Sequence, residues 1–239
     1  MPLPTIATPT YELELPSSEK KIKYRPFLVK EEKLLVLALE SEDTKEISTA
    51  IKAVLKSCIQ TRGIKVETLP TFDIEFLFLH IRGKSVGEEL EGSLIAPDDG
   101  VTAVPVKVNI DDIKVHRQEG HDKKIKLDDN LLMEMKYPSL DQFIKNNFDF
   151  DDDASIDKSF EVIASCIDKI YNEEEVWSTS DCTKKELMDF LDQMNTMQFK
   201  LIEKFFETMP KLSHTVKLKN PETKVESEVV IEGLASFFG

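Results

Sequence analysis

The chain has 239 residues, 41% hydrophobic and 32% charged, enough apolar content to bury a core as one large domain or two small ones. Its formal net charge of −14 argues against nucleic acid and anionic membrane surfaces as partners, because both select basic faces, and no apolar run approaches the ~20 residues of a membrane-crossing helix. Three cysteines, Cys58, Cys166 and Cys182, are too few and odd in number for a disulfide framework and read as reduced thiols packed in or near the core.

The N-terminus, Met1-Pro-Leu-Pro-Thr-Ile6, has neither the basic start nor the apolar stretch of a secretory signal, so the expected location is the cytoplasm in which the chain is made. Tyr11 to Leu15 and Lys21 to Tyr24 alternate apolar and polar residues around the turn-forming Pro16-Ser-Ser-Glu19, which predicts a β-hairpin. Lys30 to Glu40 contains a continuous apolar block and is expected to be a buried helix. Asp43-Thr-Lys-Glu46 has the form of a capping box. After it, Ile47, Ala50, Ile51, Val54, Leu55, Cys58 and Ile59 recur at three and four residues, one stripe of an amphipathic helix stopped near Gly63. Thr71 to Ile81 fits either a helix capped by Thr71 or an alternating strand, and the acids Asp73 and Glu75 favour helix.

Residues 88 to 136 turn β-rich. Ser93-Leu-Ile95, the turn Pro97-Asp-Asp-Gly100 and Val101 to Ile110 predict a second hairpin, and Leu131 to Met135 a further strand, with a polar loop at His116 to His121. The following part reads as mainly helical. Ser139-Leu-Asp-Gln142 is a capping-box start, Asp149 to Asp153 an acidic loop, and Ser155 to Tyr171 carries helical spacing at Ile156, Phe160, Ile163, Ile167 and Ile170. Thr183-Lys-Lys-Glu186 opens a stripe through Leu187, Leu191, Met194, Met197, Leu201 and Phe205 to about Met209; unbroken, it would be roughly 40 Å long. Leu212 to Leu218 and Val225 to Ile231 flank the turn Asn220-Pro-Glu-Thr223 as a third hairpin. The segments Ala96-Pro-Asp-Asp-Gly-Val101 and Asn220-Pro-Glu-Thr-Lys-Val225 echo one another, as a repeat or by coincidence.

Motifs for chemistry are weak. Gly83-Lys84-Ser85 lacks the earlier glycine of a phosphate loop, since Phe78 stands there, and reads as a helix-ending turn. Asp149 to Asp153 starts like a calcium loop but has Ala154 where glycine is needed and Phe160 where the bidentate acid belongs. There is no Cys-x-x-Cys pair, and His116 with His121 would need carboxylates such as Asp122 to hold a metal. No Gly-x-Ser-x-Gly is present, while a cysteine meeting His80 or His214 in the fold stays open. The features that stand out are apolar: Phe205-Phe206 and the Gly233-Leu-Ala-Ser-Phe-Phe-Gly239 segment, read either as docked on their own domain or as placed in a neighbour's groove.

Pro9-Thr-Tyr-Glu-Leu13, Lys23 to Lys33, Phe72 to Gly87, Met135 to Ile144, Met209 to Thr215 and Gly-Leu-Ala-Ser-Phe-Phe238 together are similar to the baseplate hub subunit family of T4-like contractile-tailed phages, most of all to its marine cyanophage versions. The resemblance covers nearly the whole chain. It implies a role in building the central hub of the tail baseplate, with no catalytic residue to carry over. Related proteins carry cysteines around turns like Pro97 to Gly100, as in a small zinc knuckle. This chain has none there, which implies a turn held by hydrogen bonds without metal.

The expectation is an α+β chain. Its parts are residues 1–87 as an N-terminal hairpin plus helices, 88–137 as a β-rich insertion, and 138–239 as a helical region with a C-terminal hairpin that could form one unit with 1–87. It would act by binding other baseplate hub proteins, with no enzyme activity, cofactor or metal, as a structural or assembly protein in the host cytoplasm and the virion, and as a candidate homo-oligomer. Alternatives are a transient assembly chaperone absent from the virion, or a hydrolase using a Cys/His or carboxylate pair. Expected partner-binding residues are Phe205, Phe206, Leu234, Phe237 and Phe238.

Overall fold

A computed structural model describes residues 6–140, 142 and 156–233. The fold is α+β, with six helices and eleven strands in small antiparallel sheets among the described residues. The first hairpin forms as the alternation predicts. Strands β1 (Tyr11–Glu14) and β2 (Lys21–Tyr24) pair Leu13 with Ile22, and Leu15, Ile22 and Tyr24 point into the core.

Helix α1 spans Val29–Glu40 and α2 spans Thr44–Cys58. The Asp43 carboxylate accepts hydrogen bonds from the backbone N–H groups of Lys45 and Glu46, satisfying donors that a helix start leaves open. The α2 stripe is inward as read: Ile47, Ala50, Ile51, Val54, Leu55 and Cys58 are all buried. The stop is earlier than Gly63, because Tyr24 bridges Ile59 and extends the N-terminal hairpin across the helix end. Residues Thr71–Val86 form helix α3. It is buried on every side, with Phe72, Ile74, Leu77, Leu79 and Ile81 inside, and so occupies the centre of its layer. Thr71 does not cap it: Pro70 holds that position, and Asp73 instead accepts from the Ser17 backbone N–H at 3.0 Å and from the Ser17 hydroxyl. Gly83 is not a stop either. It lies inside α3 where a Cβ would come within 2.7 Å of Ile110 Cδ1, and the helix ends at Gly87 with φ of 139°.

Strands β3 (Glu89–Ile95) and β4 (Ala103–Asn109) form the second hairpin. The third hairpin is β10 (Lys211–Lys219) with β11 (Glu226–Glu232), and β10 also pairs with β5 (Lys114–His116), giving the order β11-β10-β5. Leu212, Val216 and Ile231 of that sheet enter the same apolar cluster as α2 and α3.

A second cluster is built on β6 (Lys124–Lys126), β7 (Leu132–Met135), β8 (Ile167–Tyr171) and β9 (Val176–Ser178), paired in that order. Helices α4 (Ile156–Ser165), α5 (Lys184–Asp192) and α6 (Thr196–Thr208) pack on it. Two helical expectations are corrected here. The stretch from Ser155 to Tyr171 is not one helix: a register shift between Glu134 and Met135 puts Ile167 opposite Met135 and Ile170 opposite Met133. The irregularity places two residues three apart on the same buried face, which imitates a helical period. The long helix after Thr183 is two helices. Asn195 breaks it, its side chain accepting from the N–H groups of Met197 and Gln198 at 2.9 and 3.0 Å, while Gln198 Oε1 accepts from the Asn195 N–H at 3.0 Å. Most of residues 125–206 supply the second apolar cluster, while Leu140 and, from the last hairpin, Leu212, Val216 and Ile231 join the first.

The clusters meet at an aromatic joint. Phe72 of α3 packs edge-on to Tyr137 at 5.0 Å, Tyr137 stacks on Phe205, and His121 lies against both.

Candidate interaction surface

Six consecutive apolar residues, Leu34 to Leu39, wrap α1 completely. A helix of that kind is normally enclosed. The expectation of burial is corrected by the structure: Leu34, Val36, Leu37 and Leu39 are 41%, 48%, 54% and 43% exposed, and Val29 is 79% exposed. Only Glu31 and Ala38 of this helix are buried, and Leu35 is half-buried. Two shallow grooves flank it. One of about 490 Å³ has Leu34 and Leu37 on one wall and Ala50 and Ala53 of α2 on the other. The second, of about 300 Å³, runs from Leu35 and Leu39 to Phe78 and Val86 of α3.

The base of α1 is fixed by a polar cluster. Glu31 Oε1 accepts from Arg25 at 2.8 Å and from Ser57 at 2.9 Å, and its Oε2 accepts from the Leu28 N–H at 2.8 Å. Burial pushes the Glu31 carboxyl up, but those three hydrogen bonds and the Arg25 charge outweigh it and bring the group down to about 2. The end of β2, the start of α1 and the end of α2 are thus tied together, and the exposed face is presented on a rigid hairpin of helices.

The other candidates have local partners. Burial pushes the Cys58 and Cys166 thiols up to about 11, and neither meets a histidine: Cys58 lies 3.9 Å from an Arg25 nitrogen, and Cys166 lies 4.0 Å from the Ser165 hydroxyl. His80 bonds the Phe76 carbonyl, and His214 the Asp112 carbonyl. His121 is bracketed by Thr208 and Tyr137 rather than sharing a site with His116. Gly83-Lys84-Ser85 is helical, with the Ser85 hydroxyl donating to the Ile81 carbonyl. Among the described residues, no group of three or more His, Cys, Asp or Glu is placed to hold a metal, and no helix is long and apolar enough to cross a membrane. The acidic segment Asp149 to Asp153 lies outside the described residues.

The two echoing turns do meet. Asn220 Nδ2 donates to Asp99 Oδ2 at 2.8 Å and to both Asp98 oxygens at 3.2 Å, and the Thr223 hydroxyl donates to Asp98. Ala96, Val104 and Leu218 form a small apolar cluster beneath them. The two turns are thus held to each other by hydrogen bonds between side chains.

The T4 bacteriophage base plate protein family matches residues 8–239. The chain belongs to that family. The match spans both apolar clusters and all the elements described above, so the baseplate assignment applies to the fold as a whole. No curated protein and no solved structure matches the chain.

Within this baseplate protein, the residues singled out from sequence are dispersed. Phe205 is 2% exposed and lies in the second core, stacked on Tyr137, while Phe206 is half-buried and packs edge-on against Phe205. Leu234, Phe237 and Phe238 lie outside the described residues. The outer face of α1 was missed. Its signal was in plain view: an apolar block without period cannot be covered by a single neighbouring helix.

Proposed function

We propose that the protein is a structural or assembly component of the tail baseplate hub, acting by binding other hub proteins and not by catalysis. Membership of the baseplate family supports the setting. The observation that carries the mode of action is the uncovered apolar face of α1, with Val36 and Leu37 about half exposed on a helix pinned at its base. Contiguous exposed apolar surface of this kind marks a protein-binding site. In this reading the chain is made and assembled in the host cytoplasm and enters the virion as part of the tail. Leu234, Phe237 and Phe238, with Phe206 held edge-on by Phe205, form a second contact.

The test is capture from infected cells. The tagged chain should recover baseplate proteins. Leu37→Glu and, separately, Phe237→Ala with Phe238→Ala should each reduce recovery at least several-fold while thermal unfolding stays unchanged. Unchanged recovery by the Leu37→Glu variant, with its fold intact, would remove α1 from the mechanism.

A further inference from the structure

We infer that the outer face of α1 binds the same face of a second copy of this chain, antiparallel, across a two-fold axis passing near Val36 and Leu37. This deepens the proposed function by naming one occupant of its binding surface.

The outer face of α1 is complementary to itself. Val29, Lys33, Val36 and Glu40 recur at intervals of four, three and four residues along the exposed side of α1, opposite the inward Glu31, Leu35 and Ala38. That is the seam spacing of paired helices. The exposed charges differ between the two ends of the helix. Lys33 stands near the start with Glu32 beside it, and Lys30 lies 3.5 Å from the buried Glu31. Glu40 and Glu42 stand at the end, followed by Asp43, which caps α2, and then by Lys45 and Glu46. Set parallel, two such helices would oppose like charges. Turned end for end, Lys33 of each copy faces Glu40 of the other, with Val36 and Leu37 of the two copies packed between. A surface complementary to itself after a half-turn is what an isologous interface requires. Leu37 and Leu39 flank this line on either side, while Leu34 lies further round, in the groove against Ala50 and Ala53 of α2. Antiparallel alignment also opposes the two helix dipoles favourably.

The helix has 12 residues, about 18 Å at ~1.5 Å per residue. A contact of that length is smaller than the ~800 Å² per partner of a stable interface, so the pair forms at high concentration or when other baseplate contacts hold two copies close together.

The experiment is sedimentation equilibrium of the full chain up to about 0.5 mM, suited to a weak contact of this size. Wild type, Lys33→Glu, Glu40→Lys and the double swap would be compared, with circular dichroism confirming the fold of each. Wild type should dimerise reversibly, and each single reversal should weaken the dimer about tenfold or more by opposing like charges twice across the axis. The double swap should return to within about threefold of wild type, because its pairs are restored with exchanged sign. An equimolar mixture of the two single variants should also dimerise better than either alone. A wild-type chain that stays monomeric overturns the pairing, as does a folded double swap no better than the single variants. If wild type is monomeric and Leu37→Glu still loses baseplate proteins, the face serves a different partner and the proposed function stands without the pairing.

Discussion

Asn220 and Asp99, 121 residues apart in sequence, are joined by a 2.8 Å hydrogen bond between two turns of the same build. Asn220 is fully buried, and its side chain is used at both ends: Nδ2 reaches Asp98 and Asp99, and Oδ1 accepts from the N–H groups of Glu222 and Thr223. It therefore shapes its own turn while clasping the other.

Asn220→Ala should cost about 1–2 kcal/mol, since it deletes those bonds from a buried side chain, while the exposed Asp98 and Asp99 can turn to water. Asn220→Asp keeps the shape but sets a third carboxylate against Asp98 and Asp99. Its deficit should be largest at neutral pH and shrink as the pH falls and the new carboxyl takes a proton. Urea midpoints of the two variants at pH 7 and pH 4.5 check both statements. An Asn220→Asp deficit that grows toward acid would contradict the geometry.

The Arg25–Glu31 pair gives a second prediction. Arg25→Ala takes the closest counter-charge from a buried carboxylate, leaving only the exposed Lys30 at 3.5 Å, and should destabilise by about 3 kcal/mol. The double replacement Arg25→Leu with Glu31→Leu should cost clearly less, because no charge is left inside. Chemical denaturation of the three variants provides the comparison.

Acid should weaken the fold in two stages. Burial holds His80 and His121 below the ordinary histidine value. Above about pH 6.5 both states are neutral at these sites; below it the unfolded chain takes up protons that the folded chain resists, and stability falls. Glu31, brought down to about 2 from an ordinary 4.5, adds stability that is lost as the pH drops from about 4.5 through 2. Asp73 has the opposite sign. Burial raises its carboxyl despite the bonds from Ser17, so it returns part of the loss as it protonates. His121→Gln cannot titrate at that site and should shrink the first stage to the part His80 supplies while leaving the second, as a series of unfolding midpoints from pH 7.5 to 3.5 would show.

The exposed and buried leucines should behave oppositely. Leu37→Glu on the outer face of α1 should change stability by less than about 0.5 kcal/mol, as surface substitutions usually do. Leu55→Ala in α2, a fully buried site, should cost about 2–5 kcal/mol through lost burial and the cavity left behind. Thermal unfolding of the two proteins distinguishes them directly.

Where local signals were strong, sequence and structure agree. The three hairpins, the α2 stripe and the helical reading at Thr71 follow from alternation, capping and period, which act over a few residues. The differences arise where a distant residue decides. Ile167 and Ile170 take a strand because Met133 and Met135 are there to pair with them. Asn195 divides a helix through a cap that the longer apolar stripe obscured. The face of α1 was misread for a different reason. Apolar content alone does not specify whether a surface is enclosed within its own chain. The meeting of the two Pro-acid turns was visible only as an echo, since nothing local brings residue 98 to residue 220.

Strand β10 sits between β5 and β11 and sends Leu212 and Val216 into a core begun at Leu15 and Ile22. During synthesis that core must wait for roughly two hundred further residues to clear the ribosome before its sheet can close, a long-range pairing of the kind that slows folding. Chains cut short before Lys211 should keep an open apolar flank on that core and be cleaved by protease faster than the full chain.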